Sequence, residues 1–202
     1  MTARQSHGFQ FEAYMKNHLG IDKGKSFDIP PYPNCYNNEG ISIKCIGEGG
    51  SISLGSAKIQ YRIQDDFYFI VSFYNKSKNK IEIIWLKEIY VTKEEWRELW
   101  GDIEEQDILK LEGLITDKSK RKLSKPELND FRIYIKKEKG KILQNKVSII
   151  KLHQKIDSGT QRRLQCSIPN KRFFEFFGID KRQMGETNIG GKNIILKDIL
   201  LY

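Results

Sequence analysis

The chain is poor in cysteine and histidine, with three of each in 202 residues. Cys35, Cys45 and Cys166 are odd in number, widely spaced and without a CxxC pair. That excludes a disulfide framework or a cysteine-rich zinc site as the organising device, and it suits a reducing cytoplasm. His7, His18 and His153 show no ligand spacing. No run of about 18 apolar residues occurs, so no membrane-spanning helix is expected. The first residues, MTARQSHGFQFEAY, lack the apolar core of a secretion signal. A cytoplasmic location is therefore expected. Repeats and low-complexity segments are absent too. The lone glycine cluster, GEGG at 47–50, lacks both the Lys-Ser/Thr of a phosphate-binding loop and the full dinucleotide fingerprint, and it predicts a tight turn.

What is present is enough to fold. Apolar residues make up 39% and aromatics 11% of the chain, as in a globular protein with a substantial core. The length fits one domain, residues 1–202. The net charge of +9 is unevenly spread. Residues 82–117 carry 4 Lys/Arg against 11 Asp/Glu, whereas residues 118–182 carry 19 Lys/Arg against 6 Asp/Glu. This predicts a core over about 1–117 and a basic part over about 118–182. Clustered cations of this kind gain free energy by displacing the counterions of a polyanion, which points to nucleic acid. A solvated basic helix is the plainer alternative.

The apolar pattern predicts a mixed α/β chain. Phe11, Tyr14, Met15 and Leu19 have helical spacing, with Gly20 as a stop. Residues 27–29 and 41–46 read as short strands around a Pro/Asn/Gly loop. FYFIVSFYN (67–75) and KIEIIWLKEIYV (80–91) are the clearest strands, apolar enough to be covered on both faces. Thr92 with Glu95, and Ser124 with Glu127, form capping boxes that open helices, the second ending near Gly140. An acidic helix is expected between them. VSIIKLH (147–153) and RRLQCSI (162–168) read as strands around the turn DSGT, and a short aromatic helix follows Pro169. Trp85, Trp96 and Trp100 are assigned to the core, as are the phenylalanines at 173, 174, 176 and 177.

Two strand charges carry the chemistry. Hydrolysis of a phosphodiester needs a divalent cation to polarise the phosphate, and a group that positions or deprotonates water. A strand aspartate can hold magnesium, while a nearby lysine counters charge developing on phosphate. Asp28, in KSFDIP, and Lys44, in SIK at 42–44, fit that description, preceded by Glu12 on the first helix. In this order the residues resemble the PD-(D/E)XK nuclease superfamily, in particular type II restriction endonucleases. The resemblance covers residues 8–62 and implies a restriction-endonuclease-like core, a central mixed β-sheet flanked by helices.

By that resemblance Asp28 binds Mg²⁺, the main-chain carbonyl of Ile43 is a further ligand, Lys44 is the catalytic lysine, and Glu12 contacts a metal-bound water or second ion. Ser42 departs from the usual acid at its position. It is a weak, neutral ligand, so Glu12, Glu39 or Glu48 would have to compensate. The structural alternatives are that Asp28 caps the turn at Pro30, that Lys44 is a strand-edge charge, and that Glu12 is solvated.

The second half supplies an expected DNA-recognition surface. Lys155, Ser158, Gln161, Arg162, Arg163 and Gln165 surround the 157–160 turn. Arg and Gln suit guanine and adenine edges, while Lys and Ser more often position phosphates. Strand alternation puts Arg162 with Leu164 on one side and Arg163 with Gln165 on the other. Lys58 and Arg62, after the SIK hairpin, could grip backbone phosphate. The expected activity is metal-dependent, sequence-specific cleavage of double-stranded DNA, and enzymes of this kind commonly act as homodimers. The alternatives are a junction or repair nuclease reading DNA shape, and a non-catalytic DNA-binding protein in which Ser42 marks a decayed site.

Overall fold

The computed structural model describes residues 3–21, 40–77, 80–117, 119, 123–158, 161–182 and 186–201. Asp28, Glu39, Cys35 and the strand expected at 27–29 lie outside them. Two compact units emerge, each discontinuous in sequence. The first takes in Met1–Ile52, Gln64–Glu95 and Asn170–Tyr202, and the second Ser53–Ile63 and Trp96–Pro169.

The first unit is built on β1 (Gly40–Gly47), β3 (Phe67–Ser77), β4 (Lys80–Val91) and β9 (Leu200–Leu201), in the order β1-β3-β4-β9. β1 runs parallel to β3, with Ser42 beside Phe69 and Lys44 beside Val71. β3 and β4 are antiparallel, with a register shift between Phe73 and Tyr74. The sheet is therefore mixed, as expected.

Its faces are distinct because strand side chains alternate. On one face Ile41, Ile43, Ile70 and Ile83 share a core with Phe11 and Met15 of α1 (Ala3–Leu19). Ile189 and Ile194 of the hairpin β7 (Glu186–Ile189) and β8 (Lys192–Ile195) join that core. On the other face Phe69 meets Phe173 of α6 (Asn170–Phe176) at 6.1 Å between centroids. Trp85 meets Phe174 there at 5.2 Å.

β3 is covered on both sides as the apolar run predicts. β4 is covered on both faces in its middle, with Leu86 buried in the α1-side core and Trp85 buried against α6, while Glu82, Lys87 and Tyr90 are exposed. The Thr92 cap forms as expected: Thr92 N–H donates to Glu95 Oε2 at 2.9 Å and Glu95 N–H to Thr92 Oγ1 at 3.1 Å.

The second unit centres on β2 (Ile52–Ser56), β5 (Lys151–Ile156) and β6 (Arg162–Ile168), ordered β2-β6-β5. Helices α2 (Ala57–Tyr61), α4 (Glu105–Thr116) and α5 (Lys125–Ile142) complete it, with the Trp96–Trp100 part of α3 (Lys93–Trp100). Trp96 Nε1 donates to the Gln60 carbonyl at 2.8 Å, which ties α3 to α2. Both capping residues of α5, Ser124 and Glu127, act as read from the sequence, and the helix continues past Gly140 to Ile142.

β1 and β2 stand in different sheets, so the SIK strand forms no hairpin with the segment after it. Gly49 has φ +77° and Gly50 N–H donates to the Gly47 carbonyl at 3.0 Å, so GEGG is indeed a tight turn, and the chain leaves it for the other sheet. β5 begins at Lys151, four residues later than expected. Ile149 and Ile150 give their N–H groups to the Leu99 carbonyl instead of a strand partner. The β7–β8 hairpin was not anticipated.

Candidate functional site

The candidate catalytic strand emerges from the core as it passes Lys44. Residues 40–43 of β1 are buried and residues 44–47 half-buried. Ser42 is 2% exposed. Lys44, two residues on, projects from the same face as Ser42, over Val71 of the neighbouring strand. Its carbonyl accepts from Ser72 Oγ at 3.4 Å. Next to it, burial pushes the Cys45 thiol up to about 11, against a hydrogen bond with Ser72 that lowers it. A thiol held protonated in this way is inert as a nucleophile.

Glu12 is not brought onto this face. α1 packs against Ile41 and Ile43, the opposite side of β1 from Ser42 and Lys44. The Glu12 carboxylate pairs with Lys16, one turn on, at 2.8 Å. Glu48, in the turn after β1, is exposed. Among the described residues no three His, Cys, Asp or Glu side chains come together to hold a metal. Magnesium asks for one or two carboxylate oxygens besides water. A buried serine hydroxyl, the Ile43 carbonyl and a carboxylate already held by lysine on the other sheet face do not make that set. The described residues alone therefore do not fit the ion; Asp28 and Glu39, the other acids expected near it, lie outside them.

The expected DNA-recognition residues separate by environment. β5 and β6 pair antiparallel, placing Lys155 opposite Arg163 and His153 opposite Gln165. One face of these strands, with Leu152, Ile156, Leu164 and Cys166, is buried. On the other, Lys151, His153, Lys155 and Arg163 are exposed and Gln165 is half-exposed. Arg163 reaches Asp157 at 3.5 Å across open surface, where such a pair contributes little and a phosphate can compete for it. Gln161 is exposed, its N–H donating to Ser158 Oγ at 3.0 Å.

Arg162 corrects the expectation made for it. It is 9% exposed, donates Nη2 to the Asp117 carbonyl at 2.7 Å, and lies 5.6 Å from the Phe131 ring centroid. A side chain held this way anchors the sheet to its helices and does not reach a groove. Arg62 is likewise engaged, with Nε and Nη2 both 2.6 Å from Glu105 Oε1. That pair is about as exposed as the one at Arg163, so it too contributes little and a phosphate can compete for it. Lys58 is half-buried on α2.

Sequence reasoning missed Lys151 and His153 as members of the basic face. The signal was present in the alternation of KLHQKI, once the strand is started at Lys151. Comparison with family models, with curated proteins and with solved structures finds no match for this chain.

Proposed function

We propose that the protein is a duplex-DNA endonuclease of the restriction type, with a restriction-endonuclease-like core in the first unit and a DNA-gripping sheet in the second. The observation that carries the reading is Lys44, set where an otherwise buried strand of a mixed sheet comes out of the core. There the ammonium can meet charge developing on a phosphate without first being dragged from solvent. Asp28 would supply the magnesium ligand, and the ion would polarise the scissile phosphate when bound. Lys155 and Arg163 would grip the backbone, and Gln165, exposed in part on the same face, would read a base edge.

The test is incubation with mixed-sequence duplex DNA and Mg²⁺. The wild-type protein is expected to give discrete fragments, and Lys44→Ala and Asp28→Ala to give none. A preference for branched over linear duplex would turn the reading towards a junction or repair nuclease.

One observation favours a second reading. Ser42 is neutral and buried, and no acidic cluster stands beside it among the described residues. In that reading the protein binds DNA through the basic sheet and cuts nothing, and salt-sensitive binding without fragments is the expected result.

A further inference from the structure

In the second unit, the C-terminal part of α5, the segment 143–150, the start of β5 and Ile103 line an open cleft of about 390 Å³, which shares Lys151 and His153 with the basic sheet face. Lys139, Lys146, Lys151 and His153 line it, with Ser148 and an apolar wall at Ile150. Its described lining holds no carboxylate.

The three lysines and the histidine are not equivalent. Lys146 is neutralised from outside, its Nζ 2.7 Å from Asp107 Oδ2 and 3.9 Å from Glu104 Oε2. Lys139 donates to the Leu152 carbonyl and Lys151 to the Ser148 carbonyl, each at 3.0 Å. A carbonyl satisfies one donor of an ammonium and leaves its charge and its other two donors in place. His153 has one ring nitrogen, Nε2, 2.8 Å from Ser167 Oγ, so the other can serve a ligand.

These groups also work against one another. Burial and then Lys136 lower the proton affinity of Lys139, while burial, Lys139 and Lys155 lower that of His153. Like charge gathered in a cleft, and balanced only at Lys146, is relieved by a bound anion.

We propose that this cleft binds a phosphate group, with Lys139 and Lys151 supplying charge and His153 an orienting donor. Donors from a helix, a loop and a strand approach from different directions, which suits a tetrahedral anion better than a planar carboxylate. The cleft has room beyond the phosphate itself, so the group can arrive as inorganic phosphate or at the end of a nucleic-acid strand. The site does not depend on cleavage at Lys44.

The experiment follows the His153 imidazole resonances of the full chain by NMR near its ordinary pKa of about 6.5. Inorganic phosphate is titrated against chloride at matched ionic strength. Phosphate is expected to shift His153 saturably and raise its pKa, with chloride inert. Losing one charge-assisted contact in Lys139→Met should weaken binding about tenfold or more. Lys139→Arg should keep most of it, and Lys110→Ala, at an exposed position of α4 outside the cleft lining, should leave phosphate binding unchanged.

Oligonucleotides identify the source of the group. If a 5′-phosphorylated strand displaces phosphate and its 5′-hydroxyl twin does not, the site takes a terminal monoester. Equal displacement by both would mean an internal phosphodiester, and displacement by neither a small phosphate compound. Equal shifts with chloride and phosphate, or phosphate shifts unchanged in a folded Lys139→Met, would overturn the proposal.

Discussion

Replacing Arg162 and replacing Arg163 should give two unlike proteins. Arg162→Ala deletes a charge-assisted bond to the Asp117 carbonyl and a contact with Phe131. It should lower stability by about 2 kcal/mol or more, measured by urea denaturation. Arg163→Ala touches only a surface pair with Asp157. It should leave the denaturation midpoint in place and reduce the slope of log K against log salt for duplex DNA by about 0.9.

His153 adds a pH prediction. Its folded pKa lies below the ordinary 6.5, chiefly through burial and then Lys139 and Lys155. The unfolded chain therefore takes up a proton first as pH falls. The stability this neutral imidazole contributes is fully present above about pH 6.5 and is lost as pH drops through the folded pKa. Urea midpoints for wild type and His153→Gln should converge above that pH, apart from a constant offset, and the wild type alone should lose this increment below it. The residue-level reading of the sequence was right about the alternation of Arg162 and Arg163, which strand period alone dictates. It could not tell which side faced the helices, because that depends on partners far along the chain, at Asp117 and Phe131.

Elements with local signals were the most legible. Thr92 and Glu95 satisfy each other's backbone N–H groups within one turn, and so do Ser124 and Glu127, so the cap is written in four residues. Thr92→Ala should cost about 1 kcal/mol in urea denaturation without altering DNA binding. α6 is different. Phe173 is fully buried against Phe69 and Trp85, and Phe173→Ala should cost about 3–5 kcal/mol, measured in the same way.

Pairing between distant strands was less legible. The parallel match of β1 with β3, and the departure of β2 to join β6, rest on contacts of long sequence separation that no short pattern encodes. The segment 147–150 misled because its apolar residues serve different ends: Val147 is exposed, while Ile149 and Ile150 are held in a coil by the Leu99 carbonyl, with Ile150 buried. The β7–β8 turn did carry a signal in Gly190 and Gly191, both at positive φ, the conformation a tight hairpin turn needs.

At the scale of the whole molecule, the charge asymmetry of the sequence has a structural counterpart in the second unit. Its exposed sheet face carries Lys151, His153, Lys155 and Arg163. The acid-rich stretch supplies α4 of the same unit, where Glu105 and Asp107 hold Arg62 and Lys146. Net charge therefore overstates the free cations, and placement decides which of them can meet a polyanion. In the first unit, Lys44 was legible as a strand lysine, whereas the separation of Glu12 onto the other sheet face was not. Helical spacing fixes which residues of α1 turn inward, but not which face of a sheet they meet.

In the proposed endonuclease, Lys44 belongs to the cutting site. Binding and cleavage of mixed-sequence duplex DNA in Mg²⁺, compared between wild type and Lys44→Ala, decide whether it does. Retained affinity with cleavage reduced about 100-fold or more is predicted for Lys44→Ala, the scale expected when a group stabilising transition-state charge is removed. Equal cleavage by both proteins, or DNA bound but left uncut by the wild type, would contradict it.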